Sequence, residues 1–384
     1  MPAGFESTGG FAREAITFTK VWPSASPALV TTPIPLISED VQTQLEQAFL
    51  VTRDSRSVAT NNKVIRQWVT GGFLSNVKYE GIEAILSAAM GQEAPRLSGT
   101  LMPEELVVGT VYRHVFEIDR DLKSDGWKAG DGFLAGPTPV GDGLVAGQRK
   151  IRRGTFAVTK NSVVWESKSC MINSLTLQVS PSGVTMQAEL VGHSITYGST
   201  VNAGVGNLIC TEKRILFNEC RLFVRTLDGS PFNEATDLVP QITGFQMQIN
   251  NNLRGINTRD TKTRMDEPER SGAVVVSGGF AIPRYSSFDR LAANKNNNQV
   301  IIKLECLGDL IPGGGGERFR LNLWFPSVTL TGAEAPLNGA GQILQNYSYL
   351  ALNGGQPAGF PVSTFGGPVT AELVNANGNH TLLD

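Results

Sequence analysis

Apolar and polar residues alternate along most of this chain with the period of a β-strand. Over 107–119, Val111, Arg113, Val115 and Glu117 alternate with Tyr112, His114, Phe116 and Ile118, which predicts a strand. Segments 174–179 and 184–191 flank Ser180-Pro181-Ser182-Gly183. That predicts a hairpin with Leu175, Leu177 and Val179 on one face of its first arm and Met186, Ala188 and Leu190 on one face of its second. Further strands are expected at 154–159, 162–167, 215–225, 242–249, 274–280, 300–307, 319–325, 327–330 and 343–352. Residues 41–49 space Val41, Leu45, Ala48 and Phe49 in a way that fits a helix or a strand. The best helix follows Gly81: Ile82, Ile85, Leu86, Ala89 and Met90 make an apolar stripe, and Gly91 suits the residue just past its end.

The pattern recurs at long range. Thr52-Arg53-Asp54-Ser55 precedes Gly71-Gly72-Phe73, and Thr258-Arg259-Asp260-Thr261 precedes Gly278-Gly279-Phe280. The offsets are 206 and 207 residues, from 52 to 258 and from 71 to 278. In both places a charged stretch leads into a strand and then an apolar segment, the second holding Phe288, Leu291 and Ala292. Fixed spacing of this kind predicts two copies of one structural unit. The expected organisation is an N-terminal arm (1–34), a first unit (35–200) with a Gly-rich insertion at about 121–155, a second unit (205–352) and a Gly/Pro-rich tail (353–384).

Composition supports a mainly β fold. The 42 glycines and 20 prolines are about a sixth of 384 residues, which favours turns and short strands. A formal net charge of −2 gives no global basic field for nucleic acid. No apolar run reaches the roughly eighteen residues of a membrane span, and residues 1–20 show no signal-peptide pattern. Cys170, Cys210, Cys220 and Cys306 are scattered, so free thiols are expected and a zinc site is not.

Catalytic constellations are missing. His114, His193 and His380 lack ligand-spaced partners, and no nucleophile elbow, P-loop or His-Glu-x-x-His occurs. No cofactor is expected. Asp119, Asp121 and Asp125 lack the glycine and terminal glutamate of a calcium loop. Arg149, Lys150, Arg152 and Arg153 fit a solvated strand end or a subunit salt bridge better than a phosphate site. Residues 250–270 form a long loop of mixed charge, with Arg254, Arg259, Asp260, Lys262, Arg264, Asp266, Glu267, Glu269 and Arg270. Mixed charge on a long loop suits docking onto another subunit.

Residues 71–91, with Tyr79-Glu80-Gly81-Ile82 running into the short helix, resemble the strand-to-helix segment of siphophage tail tube (major tail) proteins. Residues 171–192 are similar to that family's late strand pair, and 250–279 to its stacking loop and return strand. The resemblance covers roughly 40–350. It implies two tandem β-sandwich or barrel units, each with one short flanking helix, the first built on Ile82, Ile85, Leu86 and Met90. It implies homotrimeric, pseudo-hexameric rings stacked into the tail tube of a virion made in the host cytoplasm, with viral DNA passing through the lumen and no membrane insertion. Tail terminator, tape measure and baseplate proteins are the implied partners. Arg53, Asp54, Arg259, Asp260, Lys262, Arg264, Asp266 and Glu267 would contact the adjacent ring. The rivals are a baseplate or decoration protein, an adhesive module marked by exposed aromatics, and a carbohydrate-active β-sandwich enzyme. Such an enzyme needs paired carboxylates, for which Glu117 and Glu189 are the candidates.

Overall fold

The structure, a computed structural model, describes residues 7–13, 26–31, 33–51, 59–90, 96–97, 100–101, 104–118, 153–208, 214–239, 241–255, 264–283, 299–334, 345–354, 357 and 367–377. It is mainly β. The first half holds β1 (Ser7–Arg13), β2 (Pro33–Glu39), β3 (Gln42–Val51), β4 (Ala59–Asn76), α1 (Glu83–Met90), the short β5 (Arg96–Leu97) and β6 (Thr100–Leu101), β7 (Glu104–Val107), β8 (Val111–Glu117), β9 (Gly154–Lys160), β10 (Val163–Ser180), β11 (Gly183–Gly192) and β12 (Ser194–Tyr197). The second holds β13 (Cys220–Thr226), α2 (Glu234–Asp237), β14 (Leu238–Val239), β15 (Gly244–Asn250), the short β16 (Leu253–Arg254) and β17 (Glu269–Arg270), β18 (Val275–Ile282), β19 (Gln299–Leu310), β20 (Arg318–Glu334), β21 (Gln345–Ala351) and β22 (Thr370–Asn375).

Six strands of the first half close an antiparallel barrel in the order β1, β2, β4, β11, β10, β9 and back to β1. Residues 174–179 of β10 also pair with β15 on their other edge, joining the halves in one sheet. From β15 the ladder continues through β18, β21, β20, β19, β13 and β14. This is the first order again. β15 takes the place of the end of β2 with β3, β18 that of β4, β21 that of β11, β20 that of β10, β19 that of β9 and β13 that of β1.

The registers agree residue by residue. Phe73 faces Ala188, which faces Leu175; Phe280 faces Tyr347, which faces Ala333. β10 is bulged against β11 between Ile172 and Ser174, and β20 against β21 between Leu330 and Gly332. β10 is bulged again where Ser167 and Cys170 face Phe156 and Gly154, and β20 where Phe325 and Val328 face Ile302 and Val300. One offset of 158 residues, 172 to 330 and 170 to 328, maps both bulges of β10 onto those of β20. A bulge inserts an extra residue at one defined place in a ladder, so two shared bulges mark copies of one unit.

The same equivalence explains Gly-Gly-Phe. A Cβ at Gly72 would run into the carbonyl oxygen of Ala188, and one at Gly279 would lie 2.7 Å from that of Tyr347, the matching residue. The phenylalanine that follows enters the core: Phe73 stacks on Phe156 at 5.1 Å and Phe280 on Tyr347 at 4.8 Å. One apolar cluster runs through both halves.

Several expectations change. Residues 42–49 belong to strand β3, because residue after residue pairs along β4. The strands expected at 162–167 and 174–179 are one strand, as are those at 319–325 and 327–330, since a bulge breaks alternation without ending pairing. The N-terminal arm contributes β1 and the first residues of β2 to the barrel. The tail contributes β22, buried along its whole length between β20 and β8. Helix α1 forms as expected, with Ile82 just ahead of it, and Ile82, Ile85, Leu86 and Met90 are all buried. The counterpart at Phe288, Leu291 and Ala292 and the insertion up to residue 152 lie outside the described residues.

Candidate functional site: a polar sheet face spanning both halves

Strands β21, β18, β15, β10, β11 and β4 lie side by side in one continuous sheet. Alternation gives that sheet two faces. One packs Tyr347, Phe280, Phe245, Val179 and Val184 into the core. The other carries three rows. The first is Ser348, Gly279, Gln246, Gln178, Thr185 and Asn76; the second is Leu350, Ser277, Gln248, Thr176, Gln187 and Leu74. The third is Val275, Asn250, Ser174, Glu189 and Gly72.

These rows are mostly amides, hydroxyls and small residues; the apolar Leu350, Leu74 and Val275 stand at their ends, and Glu189 is their one ionisable group. Lys and Arg are absent from them. Gln246, Gln248, Gln178 and Gln187 are exposed, so they keep their hydration in the single chain. Glu189 accepts a hydrogen bond from the Ser174 hydroxyl at 2.8 Å. Beside it lies an open groove of about 420 Å³ lined by Glu39, Asp40, Gly72, Asn173 and Glu189 among others. Its carboxylates are engaged: Asp40 accepts from the Gly72 N–H at 2.6 Å and Glu39 pairs with Lys160 at 2.5 Å.

The residues assigned to ring stacking belong to the connections between equivalent strand pairs, β3 to β4 and β15 to β18. Arg53, Asp54, Arg259, Asp260 and Lys262 lie outside the described residues. Arg264 is exposed and forms a bridge to Gln67 of β4. Asp266 and Glu267 are partly exposed, and Glu267 lies 4.0 Å from Arg153. Both ends of this loop lean on the first half: Arg66 donates to the Gly255 carbonyl at 3.4 Å, and the Met265 N–H donates to that of Gln67 at 3.1 Å. Met265 is buried there, which commits it to its own chain.

The catalytic pairing suggested for a glycosidase is not assembled here. Glu117 is buried on β8 against β22, whereas Glu189 is exposed on β11. Among the described residues no group of three or more His, Cys, Asp or Glu is placed to hold a metal ion. His114 is buried, with Nε2 donating to the Asn377 carbonyl at 2.9 Å. Cys170, Cys220 and Cys306 are buried free thiols. No helix among the described residues is long and apolar enough to cross a membrane.

The polar face was missed in sequence because each strand gives only two or three of its residues. The signal was present in Gln246-x-Gln248 and in Gln178 with Gln187. No protein-family model matches the chain, and no curated protein matches it.

Proposed function

We propose that this chain is the structural subunit of a bacteriophage tail tube, polymerising as stacked rings into a conduit for the viral genome. The observation that carries the proposal is the nearly uncharged polar face running unbroken across both copies of the repeat. DNA is held mainly by Lys and Arg that neutralise phosphates and release counterions. Across these three rows, amides and hydroxyls with the single carboxylate of Glu189 give no such grip, yet stay wet.

The repeat supplies the wall. Each chain offers β3, β4, β11 and β10 from one copy and β15, β18, β21 and β20 from the other. Three chains closing side by side would make a barrel of about 24 strands, and barrels of roughly 16–18 already leave an aqueous channel. Three chains also give six equivalent units, hence the pseudo-sixfold ring. In this reading the equivalent connections, with Arg53, Asp54, Arg259, Asp260 and Lys262, reach the adjacent ring, supported by Arg264, Asp266 and Glu267 at the base of the second. Tail terminator, tape measure and baseplate proteins are its expected neighbours in the virion.

Cryo-electron microscopy of the purified chain tests this. Tubes or rings of threefold symmetry, with the Gln178–Gln246 row facing the bore, are expected. Isolated monomers at high concentration, or an assembly with that row outward, would overturn it.

A further inference from the structure

The contact between the two halves leaves an unused copy of each of its surfaces. Within the chain, residues 174–179 of β10 pair antiparallel with β15, from Ser174 opposite Asn250 to Val179 opposite Phe245. The repeat supplies both surfaces a second time. Gly332, Ala333 and Glu334 of β20 are equivalent to Ser174, Leu175 and Thr176 through the shared bulge. Gln42, Thr43 and Gln44 of β3 are equivalent to Gln248, Ile249 and Asn250, because each triplet faces matching residues of β4 or β18.

Among the described residues neither copy is paired on its outer edge. β3 pairs only with β4, and residues 330–334 of β20 pair only with β21. The backbone is poised for pairing. The Asp40 N–H donates to Gly72 at 3.0 Å, so alternation turns the N–H groups of Gln42 and Gln44 toward β4 and those of Thr43 and Leu45 outward. The equivalent of Leu45 is Asn251, whose N–H donates to the Asn173 carbonyl at 2.7 Å across the internal contact. Leu45 itself is 50 % exposed, whereas Asn251 is 1 % exposed. Ile37, at the other end of the same edge, is 49 % exposed. An open, partly apolar strand edge invites a partner strand.

We infer that the edge Gln42–Gln44 of one chain pairs antiparallel with the edge Gly332–Glu334 of a second copy, with Gln44 opposite Gly332, Thr43 opposite Ala333 and Gln42 opposite Glu334. The seam repeats between chains the contact that joins the halves within one chain. It is head-to-tail, so it closes a ring or grows a helix according to the rotation at each step. It continues the polar face from chain to chain, since Gln44 and Gly332 stand where Asn250 and Ser174 stand in the third row. This inference deepens the tube reading and rests on it for ring closure alone.

The test is a cysteine pair. Gln44→Cys with Gly332→Cys places two thiols opposite each other at a non-hydrogen-bonded position, where strands lie closest. A Cβ at Gly332 meets nothing nearer than 3.8 Å. After mild copper–phenanthroline oxidation of the full-length chain, non-reducing electrophoresis should show covalent dimers and larger species. Each single variant should stay monomeric. Thr43→Pro, which removes an outward N–H, should keep the circular dichroism of the parent while losing oligomers at least tenfold at equal concentration.

Rings or tubes that form without this crosslink overturn the seam and leave the tube reading standing. Crosslinked open chains that never close support the seam and overturn the tube. A crosslink confined to the monomer band puts both edges in one chain and overturns the seam. A chain that stays monomeric at all concentrations overturns both.

Discussion

The side-chain amide of Asn251 lies 2.9 Å from the carbonyl oxygen of Ala89, in the last turn of α1. It also donates to the Ile172 carbonyl beside the β10 bulge, and its oxygen accepts from Arg270 at 3.1 Å. One buried residue of the second half thus satisfies a helix-end carbonyl and a bulge carbonyl of the first.

Asn251→Ala should therefore loosen the junction between the halves. Leaving buried carbonyls unpaired typically costs about 1–3 kcal/mol. Urea unfolding should show that loss, and hydrogen exchange should rise at both α1 and residues 172–174. A change confined to the second half would refute the link.

Glu372 is buried on β22, with Arg113 at 2.8 Å and Arg320 at 3.8 Å. Burial alone would raise its pKa; the two guanidiniums and the hydrogen bonds from Asn322 and Trp324 overcome this and hold it below the ordinary 4.5. Its folded pKa is depressed, so its stabilisation is complete above the unfolded value and disappears as pH falls through the folded one. Glu372→Gln removes the counter-charge that Arg320 and half-buried Arg113 share, although Arg113 keeps Glu104 at 3.1 Å, and should destabilise by about 1–3 kcal/mol at pH 7. The difference from the parent should shrink below pH 4. A gap of equal size at pH 3 and pH 7 would show that charge is not its cause.

His193 is held neutral at pH 7. Burial, then Arg264 and Lys168, lower its pKa from 6.5 to about 4, against the opposing pull of Asp266. The unfolded chain binds the extra proton first, so stability should decline as pH falls from 6.5 toward 4. The imidazole C–H resonance of His193 should titrate near pH 4. A midpoint near 6.5 would mean that the imidazole is not buried beside Arg264 and Lys168.

Gly72→Ala and Gly279→Ala test the repeat by chemistry. Each new methyl meets the carbonyl oxygen of an equivalent residue, Ala188 or Tyr347. Both variants should lose on the order of 1–3 kcal/mol through overpacking. A large loss in one half and none in the other would separate the two sites.

The polar face predicts a gain of function. Gln178→Lys with Gln246→Lys puts two cations side by side in its first row. The assembled variant should bind duplex DNA with an affinity that falls steeply as salt rises, whereas the parent should not. Equal binding by both would remove the argument from charge.

Much of this ladder was legible in the sequence. Gly-Gly-Phe marked equivalent strands because a close backbone approach admits only glycine there. The hairpin at Ser180-Pro181-Ser182-Gly183 announced itself by turn chemistry, with Gly183 at φ +121°. What escaped has physical causes too. β1 contains Gly9 and Gly10, which leave no side chains to show alternation at its centre. β22 is buried along its whole length, so Thr370 to Asn375 show no period-2 signal. The polar face is a property of neighbouring strands, and a linear sequence does not show which strands are neighbours.

β22 carries one more consequence. It lies between β20 of the second half and β8 of the first, and Asn375 reaches the Tyr79 carbonyl at 3.1 Å. During synthesis, β8 at residues 111–117 emerges more than 250 residues before its partner. Until residues 370–375 leave the ribosome, two strands far apart in time keep bare edges. Translation must therefore run nearly to residue 375 before either edge is covered. Products cut short by premature termination would lack that finishing strand and would be prime substrates for chaperones and proteases.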